Sequence, residues 1–178
     1  VMRAVANDGL ALKYASSALK NCKNVVLVAV EQEGNALEYA SGALRNDKDV
    51  VLVAVNQDGH ALEYASKLLC DDKDVVLVAI AHDGSELEYA SIRLKSDPDV
   101  VMVAVAQNGS ALDFASMHMQ SDRDVVMAAV VQDGEERVLA VDGGLWVVNT
   151  EMVELVKQQA EKKMEAKKWS WAKFLKHL

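Results

Sequence analysis

A chain of 178 residues with 51% apolar residues is long enough to bury a core as one domain with an appendage, and it lacks the composition of a disordered tail. Its net charge of −8 argues against generic nucleic-acid binding, because that affinity rests largely on Lys and Arg neutralising phosphates. Charges or Gly-containing turns interrupt every apolar run short of the roughly 18 to 20 residues that a spanning helix requires, so a water-soluble or membrane-peripheral protein is expected.

The chain opens with Val1-Met2-Arg3 and shows no basic-then-apolar leader, which suggests that it starts inside a longer precursor. From there the sequence repeats. Gly9, Gly34, Gly59, Gly84, Gly109 and Gly134 follow one another at intervals of 25 residues. Tyr14, Tyr39, Tyr64, Tyr89 and Phe114 each stand 5 residues past a Gly and are followed by Ala-Ser, and the pattern breaks at Leu139. Complete units span about 21–45, 46–70, 71–95 and 96–120. A unit this short cannot bury its apolar face alone, so neighbouring units must stack around one continuous core.

The first half of each unit is a run such as DKDVVLVAV at 47–55. Its β-branched residues favour a strand, and a strand-plus-helix repeat would build a β/α horseshoe. Capping argues for a helix instead. Asn46, Asp71, Ser96 and Ser121 suit N-caps, with Asp49, Asp74, Asp99 and Asp124 placed to reach back, and Pro98 falls in a first turn. The Gly that follows suits a left-handed residue ending a helix. Ala29, Ala54, Ala79, Ala104 and Ala129 share one slot, where a small residue lets adjacent helices approach.

The second half, as in HALEYASKLL at 60–69, places Leu62, Ala65 and Leu69 on one helical stripe. Asn35, Ser85 and Ser110 mark its start, followed by Glu38, Glu88 and Asp113. Each unit therefore reads as two short antiparallel helices. The expected fold is all-α, an α-solenoid of helix-turn-helix repeats over 1–134.

The pattern D-x-x-V-V-L-x-A-V-x-Q-x-G-x-A-L-x-Y/F-A-S-x-x-L, as it stands in residues 47–69, resembles the tandem repeats of the family called domain of unknown function 4116. The resemblance covers about residues 1–134. It implies a helical repeat of a kind found in protists, dinoflagellate algae notably, and in some intracellular bacteria. It implies no catalytic residue, ligand or reaction.

Few residues invite chemistry. Asp47 and Asp49 alternate as calcium ligands would, but a run of Val follows where further oxygen ligands are needed, and helix capping accounts for them. A catalytic carboxylate pair is normally unique, whereas this pair recurs. Recurring tyrosines read as a packed ladder with hydroxyls at its edge, and His60, His82, His118 and His177 read as surface residues. Cys22 and Cys70 lack disulfide or zinc spacing and read as free thiols. No phosphate loop or nucleophile elbow is present. No enzyme, cofactor or metal is expected.

Slots that vary between units are the candidates for partner contact. One of them, filled by Ser17, Gly42, Lys67, Ile92 and Met117, grows more apolar along the chain, and with Met119 it suggests a sticky ridge on the later units. Beyond the repeats, strands over 136–141 and 145–149 would form a hairpin, including Trp146, that caps the stack or adds to a partner's sheet. A helix over about 151–168 leads into an aromatic-basic end with Trp169, Trp171, Lys173, Phe174 and Lys176. From Lys157 onward the net charge is +5, leaving −13 on residues 1–156. Aromatics with lysines suit a membrane surface or an anchor on a larger assembly, and equally a segment folded back on the acidic repeat stack. The function expected is that of a scaffold or accessory subunit bound to other proteins, with a ligand- or peptide-binding groove as the alternative. Its expected setting is intracellular, in the cytoplasm or an organelle. A thylakoid-associated photosystem of an algal chloroplast is the specific form, which the tail and the family resemblance suggest.

Overall fold

The computed structural model describes residues 2–133, 138–141 and 144–147. After a short opening helix, α1 (Met2–Val5), and a single turn, α2 (Ser17–Lys20), four helices of 10 residues mark the units. They are α3 (Lys23–Gln32), α4 (Lys48–Gln57), α5 (Lys73–His82) and α6 (Pro98–Gln107). The turn α7 (Met117–Gln120) and the helix α8 (Arg123–Asp133) close the series. Each helix packs on the next to make one layer, and a second layer of 3₁₀ helices stacks beside it at Gly9–Tyr14, Gly34–Tyr39, Gly59–Tyr64, Gly84–Tyr89 and Gly109–Phe114.

The valine runs are helices and not the strands of a horseshoe. Val50, Val51, Ala54 and Val55 face the core and are fully buried, as are their counterparts in α5 and α6. That spacing is one stripe of a 3.6-residue period. Their caps lie one residue later than the sequence suggests. The Asp47 carboxylate accepts from the backbone N–H groups of Asp49 and Val50, and Asp72, Asp97 and Asp122 repeat the arrangement.

The second half of the unit is not one amphipathic α-helix. The 3₁₀ helix Gly59–Tyr64 stops at Ala65, whose backbone is extended, and the chain turns before a short 3₁₀ segment at Leu69–Asp71. The break has a cause in the neighbouring unit: the Ser66 N–H donates to the carbonyl of Arg45, and Ser41, Ser91 and Ser116 do the same to Lys20, Cys70 and Lys95. Leu62 and Leu69 both still reach the core. The start of this segment is set by Asp58, Asp83 and Asn108, not by Asn35, Ser85 and Ser110. Each bonds the N–H two residues on, while its own backbone is extended at the end of the preceding helix.

The repeating Gly has a different task from ending a helix. Gly9, Gly34, Gly59 and Gly84 have no positive φ, but each lies against a backbone carbonyl of the next unit's helix. A Cβ on Gly59 would sit 2.9 Å from the Ala79 oxygen, and one on Gly34 or Gly84 would come closer still to Ala54 or Ala104. Side-chain clasps then repeat along the stack. Lys23 Nζ lies 2.8 Å from Asp47 and 3.0 Å from Asp49, and Lys48 and Lys73 hold the next pairs alike. The Gln57 amide accepts from the Gly34 N–H and donates to the Gln32 carbonyl, and Gln107 bridges Gly84 and His82. Past the stack, β1 (Val138–Val141) pairs antiparallel with β2 (Gly144–Val147), with Leu139 opposite Trp146.

Gly59→Ala is expected to cost about 2 kcal/mol, because backbone and not a movable side chain blocks the added methyl. Gly42→Ala, with nothing within 4 Å of the new methyl, should stay within about 0.5 kcal/mol of the parent in denaturant unfolding.

The caps also predict an acid limb. Lys23 holds the Asp47 carboxyl below its usual range. For Asp72 and Asp97 partial burial works the other way, and the lysine bond and backbone amides outweigh it. A carboxyl lowered in the folded state contributes stability above its unfolded value and loses it as pH falls through the folded one. The thermal midpoint should therefore drop below about pH 4. Asp72→Ala should remove about 1 kcal/mol at neutral pH and flatten part of that drop, whereas Asp74→Ala, at a carboxylate 81% exposed, should do little.

Candidate functional site

A 3₁₀ helix brings residues three apart onto one edge. In each unit this places the residue after the Gly beside the acid before the aromatic, and the next residue along beside the aromatic itself. Across units the first edge carries Glu38, Glu63, Glu88 and Asp113, all exposed, and the second carries Tyr39, Tyr64, Tyr89 and Phe114, all half-buried against the core. An acidic row thus runs beside an aromatic row.

The rings do not form the simple ladder that repetition suggests. Between Tyr64 and Tyr89 stands His60, edge-on to both, with ring centres 6.5 Å and 5.2 Å away. Its Nε2 lies 3.2 Å from Glu63 and its Nδ1 lies 3.5 Å from Glu86 Oε2. Glu86 is the one buried charged residue among those described, only 9% exposed. Its Oε2 has no hydrogen bond of good geometry among the described residues. Burial pushes the Glu86 carboxyl above the usual carboxylate range, and Asp83 and Asp58 add to this while His60 opposes it.

At the start of the row a cation is already in place. Lys13 and Lys20 hold their ammonium groups 5.8 Å and 6.0 Å from the centre of the Tyr39 ring, within the range of a cation–π attraction. The field along the row is negative: the Tyr39 hydroxyl is raised by its hydrogen bond to Glu38, and Tyr64 and Tyr89 are raised by burial and then by neighbouring glutamates.

A different surface holds the residues that the sequence singles out. Ile92 and Met117 are each 84% exposed at successive turns, and Leu68, which sequence reasoning passed over, stands out at 70% on the preceding one. Met119 does not join them. It is 3% exposed, because it occupies the core slot of Leu44, Leu69 and Leu94 and its side chain replaces a leucine. Trp146 lies in β2, and Trp169, Trp171, Lys173, Phe174 and Lys176 lie outside the described residues. A shallow groove in the helix layer is lined by Leu52, Val53, Asn56 and Val78.

The paired aspartates are committed to caps and to lysines of the preceding unit. Among the described residues no group of His, Cys, Asp and Glu is arranged to hold a metal ion, and no helix is long and apolar enough to cross a membrane. Cys22 is exposed and Cys70 half-buried, both free. His60 and Glu86 are the site residues that sequence reasoning missed, His60 having been read as surface. The available signal was a broken column, since Glu86 stands where Ala11, Ala36, Ala61 and Ala111 stand in the other units.

Glu86→Ala is expected to stabilise the protein by about 1 kcal/mol at pH 7, by removing a buried, poorly bonded carboxylate. A raised folded pKa favours folding in acid and costs stability as pH rises through it. The gain in thermal midpoint should therefore shrink toward pH 4; an equal gain at both pH values would contradict this account of Glu86.

In sequence comparison, the model of the family described as domain of unknown function (DUF4116) matches residues 1–45, 25–70, 72–120 and 97–136. No curated protein and no solved structure matches the chain.

Proposed function

The chain belongs to the family described as domain of unknown function (DUF4116), and from that premise we propose that it is a non-enzymatic scaffold, an α-solenoid acting as an accessory subunit of a larger assembly. One observation carries the reading. Recurring polar groups such as Lys48 with Asp72 and Gln57 with Gly34 join one unit to the next, while the apolar residues that depart from the repeat, Leu68, Ile92 and Met117, stand in solvent. Exposed apolar side chains at successive turns favour a protein partner over a small substrate. In this reading the segment with Trp169, Trp171, Lys173, Phe174 and Lys176 supplies a second anchor. Its mixture of aromatic and basic residues favours a partner lying against a membrane, such as an organellar complex of the photosystem kind.

The test is affinity capture after cross-linking in the source cells. Replacing Ile92 and Met117 together by Ser should lower recovery of the partner set by about tenfold, the equivalent of about 1.4 kcal/mol. The same change at the surface should leave folding within about 0.5 kcal/mol. Alanine at Trp169, Trp171 and Phe174 should weaken capture separately. A partner set recovered unchanged from both variants would end the docking role.

A further inference from the structure

The acidic and aromatic rows have no counterpart within the described stack beyond Tyr39, where Lys13 and Lys20 supply cations from the first unit. The same combination of ring and carboxylate continues at Tyr64 with Glu63 and at Tyr89 with Glu88, where no Lys or Arg is placed over the ring among the described residues. Beside His60, which stands between the two rings, Glu86 holds a buried oxygen that lacks a well-formed hydrogen bond, 3.5 Å from the His60 Nδ1. A repeat stack does not need this carboxylate, since alanine fills its slot in the units on both sides. It costs stability where it stands, and a cation would satisfy it.

We propose that this face, from Tyr64 to Tyr89 and centred on His60 and Glu86, binds an extended basic segment of a partner polypeptide, whose Lys or Arg side chains lie over these two tyrosine rings and against the glutamates. The proposal rests on the scaffold reading and adds the chemistry of the partner. Charge complementarity and ring geometry give its attraction. Packed helices lie about 8 to 10 Å apart, so one unit advances by about that distance. A polyproline II chain advances about 9 Å in three residues and returns to the same side. One basic residue in every three therefore meets one ring per unit.

The experiment uses the full chain and a fluorescein-labelled peptide with Arg at every third position on a Pro-rich background, beside a peptide of the same composition with the arginines clustered. Anisotropy at low salt should show binding of the regular peptide that is at least about tenfold tighter than that of the clustered one and that weakens with added salt. Glu86→Ala and His60→Ser are the informative variants. Each installs a residue that other units carry at that slot, namely Ala61 and Ser85, so both should fold. Glu86→Ala should weaken the regular peptide by about tenfold, and Glu63→Gln with Glu88→Gln by more. Equal binding of the two peptides, or binding untouched by these substitutions, overturns the proposal. It is also overturned if the wild-type chain ignores both peptides while carbodiimide cross-links Glu63 or Glu88 to lysines of residues 157–176 in the same chain. Loss of peptide binding in Glu86→Ala with partner capture through Ile92 and Met117 intact supports it. Intact peptide binding in Glu86→Ala with capture lost on Ile92→Ser refutes this site and leaves the scaffold standing.

Discussion

Gly9, Gly34, Gly59 and Gly84, each at the head of a 3₁₀ helix, lie against the carbonyl of an alanine in the next unit's helix, Gly34 on Ala54 and Gly59 on Ala79. The contact admits no Cβ, so it sets how closely two units approach and with what offset. Other inter-unit bonds are then in reach. The Gly34 and Gly84 N–H groups meet the next unit's glutamine, the turn serine bonds back to the carbonyl before it, and Lys23, Lys48 and Lys73 at their helix starts reach the aspartates of the next unit. These exposed ion pairs contribute little stability singly. Their regular spacing selects the register in which units stack.

That register explains why the valine runs are helical against their propensity. A strand of DKDVVLVAV would leave its Asp47 without the two amides it caps, and would move alternate valines out of the buried stripe. In the helix all of Val50, Val51, Ala54 and Val55 are buried together. Propensity differences per residue are fractions of a kcal/mol, whereas burying a valine is worth roughly 1.5 kcal/mol or more. Packing decides.

Departures from the repeat carry the individuality of the molecule, and they fall on two surfaces. Leu68, Ile92 and Met117 mark one edge, where apolar side chains are left in water. His60 and Glu86 mark the other, where a carboxylate is taken out of water beside an imidazole that stands between two tyrosines. Both arrangements run against the stability of an isolated stack, and in a scaffold both are places where a partner would restore what folding left unsatisfied.

The 25-residue period and the stacking it demands are legible in the order of residues, as are the capping signals of the first half, which packing then makes helical. Periodicity is a local signal, and identical units must bury identical faces. The tertiary structure decided the rest. It moved each cap from Asn46 to Asp47, broke the second helix at Ala65, placed Met119 in the core, and turned the glycine from a helix stop into a point of contact. The break and the glycine contact each depend on an atom in the neighbouring unit some 20 to 25 residues away, whose distance in space no local pattern records. The same holds for His60 and Glu86, which belong to different units and become a pair only when the units stack.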